Sequence, residues 1–108
     1  MIEQVVIKSL PRYTDERGFL CELYRQDEDK YQPQMAYFSL THPGIVGGPH
    51  EHRKQSDYFV FIGPGNFELH LLDNRPTSST YQEHQVLEVG ETNPCSVLIP
   101  PGVVHMIS

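Results

Sequence analysis

The sequence predicts an all-β fold, an antiparallel sandwich or barrel, on three observations. Short apolar stretches recur at roughly ten-residue spacing, turn residues separate them, and no segment has the length for a stable helix. Nine prolines and eight glycines among 108 residues supply the turns. In chain order the expected strands begin with IEQVVI (2–7), followed after the turn DERG by FLCELY (19–24). QDEDKY (26–31) offers at most one helical turn, and MAYFSL (35–40) is the next strand, closed by THPG. GGP (47–49) reads as a turn before DYFVFI (57–62). NFELHLL (66–72) is the clearest strand, because Phe67, Leu69 and Leu71 alternate with Glu68 and His70. QVLEV (85–89), SVLI (96–99) and VVHMIS (103–108) complete the set, separated by the prolines and glycines of NP and PPG.

The length fits a single domain, 1–108, with a modest core that an oligomer interface would supplement. Fourteen acidic and eight basic side chains give a net charge of −6, which repels a nucleic acid, and no Lys/Arg cluster overrules it. A small anion is compatible, since a few converging arginines suffice for a phosphate pair. No apolar run approaches the roughly 20 residues of a membrane helix. MIEQVVIKSL carries charges and no apolar core of a signal peptide. Cys21 and Cys95 are too few for a disulfide framework and read as small core residues. A cytoplasmic protein is the expectation.

The chemistry-bearing stretch is PHEHRKQSDYFVFIG (49–63). Residues i and i+2 of a strand share a face, so His50 and His52 can point into one cavity. The turn PPG can then present His105, from IPPGVVHMI (99–107), to the same cavity. With Asp57, these residues suit a metal such as Fe, Mn, Ni or Zn, or equally a base with its neighbour. His42, His70 and His84 stand alone and read as structural or solvated.

Together, in this order, the two segments resemble the paired signatures of the cupin superfamily: H-x-H with a following carboxylate and glycine (His50, His52, Asp57, Gly63), then P-x-G-x-x-H (Pro100, Gly102, His105). TDERGFLCELY (14–24), HPGIVGGPHEH (42–52), FELHLLDNRPTSSTY (67–81) and LIPPGVVHMI (98–107) narrow the resemblance to the dTDP-4-dehydrorhamnose 3,5-epimerase family. That resemblance implies a cupin jelly roll, a homodimer and a nucleotide-linked 4-keto-6-deoxy sugar substrate, handled without metal or cofactor. It places His50 on the catalytic histidine and Arg17 on an arginine directed at the nucleotide diphosphate; His52, one residue on from Glu51, is read as the helper or neighbour of His50. Phe19 and Glu22 fall near positions that contact the base across the dimer. Gln55, Arg75 (of the D-x-R pair with Asp73) and His105 join the expected substrate-binding set. Two positions depart from the family pattern: Gly47 replaces an arginine, and Asp57 stands where a lysine would stabilise an enolate oxygen. The H-x-H pair is closer to a sister family, the nucleotide-sugar 3,4-ketoisomerases.

Epimerisation beside a ketone requires removal of a proton acidified by the carbonyl, and histidine is available as a neutral base near pH 7. Two other readings compete: a metal-dependent cupin enzyme using His50, His52, Asp57 and His105, and a non-catalytic sugar-binding cupin.

Overall fold

A computed structural model describes residues 1–108 and contains nine strands. These are β1 (Val6–Ser9), β2 (Tyr13–Asp15), β3 (Gly18–Leu20), β4 (Gly47–His50), β5 (Asp57–Phe61), β6 (Asn66–Asp73), β7 (His84–Gly90), β8 (Cys95–Ile99) and β9 (Val103–Ile107). They form a three-stranded sheet in the order β1-β8-β5, a four-stranded sheet in the order β4-β9-β6-β7, and a separate β2-β3 hairpin. Every strand pair is antiparallel.

The core lies between the two larger sheets. Alternation puts Cys95, Val97 and Ile99 of β8 on one inner face, and Leu69 and Leu71 of β6 with Val103 of β9 on the other. Phe59 and Phe61 of β5 stack and close one side of it. The PPG turn between β8 and β9 carries the chain from one sheet to the other, and this crossing brings His105 against residues of β5.

Four expectations change. MAYFSL (35–40) is not a strand: it pairs with no other element, and Tyr37 and Phe38 are 81% and 82% exposed. IEQVVI begins as a turn, with Val5 N–H donating to the Ile2 carbonyl at 3.4 Å, and only Val6 onward is strand. The turn has a packing reason, since it buries both Ile2 and Val5, which a strand would send to opposite faces. FLCELY contributes only Phe19 and Leu20 to β3, and Cys21 is partly exposed, while Cys95 is buried as expected. GGP is part of β4 rather than a turn, because the β9 edge supplies partners: Gly47 pairs with Ile107 and His50 with His105. The register slips between those two pairs. Gly48 sits in the slip at φ 100°, and a Cβ there would lie 2.9 Å from the His105 carbonyl oxygen. Glycine is the residue that accepts that backbone and that closeness.

Candidate active site

The inner face of β5 reads, from core to rim, Phe61, Phe59, Asp57, at intervals of two. Phe61 is buried, the Phe59 ring meets the His105 ring edge-on at 5.2 Å, and Asp57 carries the face out to the rim. His105 occupies the inward position of β9 between Val103 and Ile107 and is itself buried. His50 closes β4 opposite it, with ring centroids 5.9 Å apart. His52 lies just past the strand, where its carbonyl accepts the Gly102 N–H at 2.9 Å, and its ring is 5.8 Å from that of His105. The three histidines predicted from sequence therefore do converge, at the end of the sandwich where the β4–β5 connection crosses between the sheets.

Asp57 joins them. Its Oδ2 lies 3.0 Å from His52 Nε2 and 3.5 Å from His105 Nε2, and its Oδ1 accepts the Gln55 side-chain N–H at 3.2 Å. One carboxylate thus lies close to two imidazoles. Burial pushes the His105 pKa down from its ordinary value, and Asp57 and the Val103 carbonyl pull part of it back. The Nδ1 of His105 is buried with no aligned hydrogen-bond partner. Ligand atoms of His52, Asp57 and His105 lie within 4.8 Å of one another, so these three have the spacing to hold a cation; His50 falls outside that group.

The remaining predicted site residues lie elsewhere. Arg17 sits at the tip of the β2-β3 hairpin, paired with Asp15 at 2.6 Å and well exposed. Phe19, on β3, carries the Arg12 guanidinium 4.5 Å above its ring. Glu22 follows the hairpin and pairs with Arg25 at 3.3 Å. None of the three lies on a strand of the two larger sheets. Arg75 is committed to structure. Its Nε donates to Asp73 at 2.8 Å and its terminal nitrogens donate to the Gln4 side chain and the Glu3 carbonyl, each at 2.6 Å. This tie joins the β6 end to the N-terminal turn. Gln55 likewise makes its one side-chain bond to Asp57.

The sequence groups Asp57 with the histidines as metal ligands, and the structure adds its direct contact with His52 and His105. The signal was present in the period of two leading outward from Phe61 and Phe59. Arg53 and Lys54 are exposed in the bend between β4 and β5. The Tyr58 hydroxyl donates to the Leu23 carbonyl at 3.0 Å.

The sequence matches the dTDP-4-dehydrorhamnose 3,5-epimerase family over residues 1–107. It is 40% identical over 106 residues to the spore coat polysaccharide biosynthesis protein SpsL of Bacillus subtilis, covering 97% of this chain and 70% of that protein. It is 36% identical over 107 residues to the probable low-salt glycan biosynthesis epimerase Agl13 of Haloferax volcanii, covering 96% and 68%. In fold it is similar to the dTDP sugar isomerase of Desulfovibrio desulfuricans G20, with a TM-score of 0.90 at 23% identity over 99% of this chain and 69% of that one.

Proposed function

Given that the chain belongs to the dTDP-4-dehydrorhamnose 3,5-epimerase family, we propose that it epimerises a dTDP-linked 4-keto-6-deoxy sugar, with His50 as the base. The carrying observation is the convergence of His50, His52 and His105 at the rim of the sandwich. His50 removes the proton from a carbon next to the ketone. The C–H electron pair becomes the carbon–carbon double bond of an enolate, and the carbonyl pair moves onto oxygen. Return of a proton to the opposite face inverts the centre. His50 suits the first step because its side chain is exposed at the mouth of the cluster, where a substrate can reach it. His52 is its neighbour and helper. The hairpin residues Arg17 and Phe19, with Glu22, are the proposed contacts for the nucleotide. Arg17 and Glu22 are held only in exposed surface ion pairs, which cost little to exchange.

The same reading makes the enzyme a cytoplasmic homodimer that needs no cofactor. Two free cysteines suit a reducing compartment. The unpaired apolar segment around Tyr37 and Phe38 suits coverage by a second copy. The metal-dependent reading rests on the spacing of His52, Asp57 and His105. Elemental analysis separates the two, since a stoichiometric transition metal lost in His52→Ala would favour the second.

The test of the first is deuterium wash-in. Incubated in heavy water with a dTDP-linked 4-keto-6-deoxy sugar, the enzyme is expected to place deuterium beside the ketone. His50→Asn keeps the shape and removes the basic nitrogen, so exchange should fall about 10²–10⁴-fold, roughly 3–5 kcal/mol of transition-state stabilisation. His52→Asn should cost less. Exchange in His50→Asn at the wild-type rate would remove His50 from the role.

A further inference from the structure

We propose that Asn74 is a positioning residue of this site: it grips Glu51 and so fixes the direction in which the flanking His50 and His52 present their rings. The proposal rests on the epimerase reading for its catalytic consequence, but the grip itself is a property of the chain.

The need for such a residue follows from where β4 stops. His50 is its last residue and makes its last pairing, with His105. Glu51 and His52 lie outside every strand, so no ladder holds them. Two other contacts do. The His52 carbonyl accepts the Gly102 N–H at 2.9 Å, and the Glu51 carboxylate accepts from Asn74 Nδ2 at 2.7 Å. An ionised carboxylate only accepts, so Asn74 must turn its amide nitrogen, not its oxygen, toward Glu51. Successive side chains of an extended segment point to opposite sides. Holding Glu51 outward therefore turns His50 and His52 the other way, where both rings meet that of His105.

The bond is exposed, so its effect depends on how firmly both ends are held. Asn74 has a fixed base. Its N–H donates to the Gly102 carbonyl at 3.0 Å, and it stands between the buried Asp73 and the tethered Arg75. The PPG turn packs so closely here that a Cβ on Gly102 would lie 2.5 Å from Arg75 Cγ. Asn74, Gly102, His52 and Glu51 thus close a ring of three hydrogen bonds through the end of β6, the PPG turn and the β4–β5 connection. Closing it fixes only the short Asn74 side chain, and the charge on Glu51 strengthens the bond.

Ring ¹H–¹³C spectra of the histidines test the grip without any substrate. Asn74→Ala is expected to shift or broaden the His50 and His52 signals and to leave those of His42 and His70 in place. Unmoved His50 and His52 signals overturn the proposal. Deuterium wash-in tests the consequence: Asn74→Ala should lower kcat about 3–10-fold, the worth of one hydrogen bond, with KM changed by less than about twofold. Asn66→Ala is the control, because Asn66 makes the same kind of exposed amide bond, to Glu88 and Thr92, at the other end of β6. Its rate should match wild type. Asn74 and Glu51 are both exposed, so no variant of either leaves a cavity or a buried charge.

The sharpest variants exchange donor and acceptor. Asn74→Asp keeps the shape but sets a second carboxylate against Glu51, so its rate should fall at least as far as that of Asn74→Ala. Adding Glu51→Gln supplies an N–H donor from the other side. The pair should recover most of the rate and return the ring signals toward their wild-type positions. A pair no better than Asn74→Asp alone would make Asn74 a merely structural residue and sink the idea. Wild-type enzyme that exchanges no deuterium, with ring signals that move and return as expected, would instead sink the epimerase reading and leave the positioning intact.

Discussion

The Asp73 carboxylate is fully buried and accepts from Arg75, Ser78 and Thr80, the shortest bond being 2.6 Å from the Thr80 hydroxyl. The Arg75 guanidinium, followed by these hydroxyls, holds its pKa far below the ordinary 3.8. A carboxylate depressed in this way stabilises the fold fully above its unfolded pKa and loses that contribution as pH falls. Arg75→Ala strands a buried charge, so it should lower unfolding stability by about 3–5 kcal/mol at pH 7 in urea titrations. The gap to wild type should narrow as pH drops below 3.8 and the carboxylate of the variant is neutralised. The arginine and aspartate were legible in the sequence as a D-x-R pair, but their partners were not. Glu3 and Gln4 are more than seventy residues away, and sequence spacing carries no sign of that contact.

Among the elements, β5 to β9 follow the sequence closely, because alternation on a half-buried surface leaves a period-two record in the residues themselves. β4 left no such record. Gly47, Gly48 and Pro49 are turn-formers by composition, and they form a strand because β9 offers an edge to pair with. MAYFSL failed in the opposite sense, with strand-like residues and no edge to receive them. In both cases tertiary pairing overrode local preference. The histidines of the site were readable from H-x-H and P-x-G-x-x-H, whereas the Asp57 contact depended on how two sheets meet. Gly48→Ala tests the β4 edge. At φ 100°, with the His105 carbonyl oxygen 2.9 Å from the new Cβ, the change should cost roughly 1–3 kcal/mol. It should also lower deuterium wash-in more than a surface Gly→Ala of equal stability cost, because the strained backbone lies on the strand that carries His50 and presses on the one that carries His105.

At the scale of the whole molecule, 15 of 108 residues are buried, a thin core for this length. The radius of gyration is 14.4 Å, whereas about 13 Å is expected of a compact chain of this size. The excess surface is not polar: Met35, Tyr37, Phe38, Leu40, Ile45 and Val46 are all exposed in one span. In the proposed homodimer this span is covered by the second copy. Light scattering should then report about twice the 12.4 kDa chain mass at micromolar concentration. Phe38→Asp should shift the population toward the single chain, and a wild-type reading at 12.4 kDa would overturn the dimer.

The segment after the hairpin has a different use. Tyr31 lies flat on Tyr58 of β5 at 5.7 Å, and Tyr24 meets the same ring edge-on at 5.9 Å. The chain has six tyrosines and no tryptophan. Aromatic rings locked in a fixed array give optical activity in the near ultraviolet that vanishes when their packing loosens. With no indole to mask it, that band is a built-in gauge of whether this segment stays packed on β5, readable in solution on unlabelled protein.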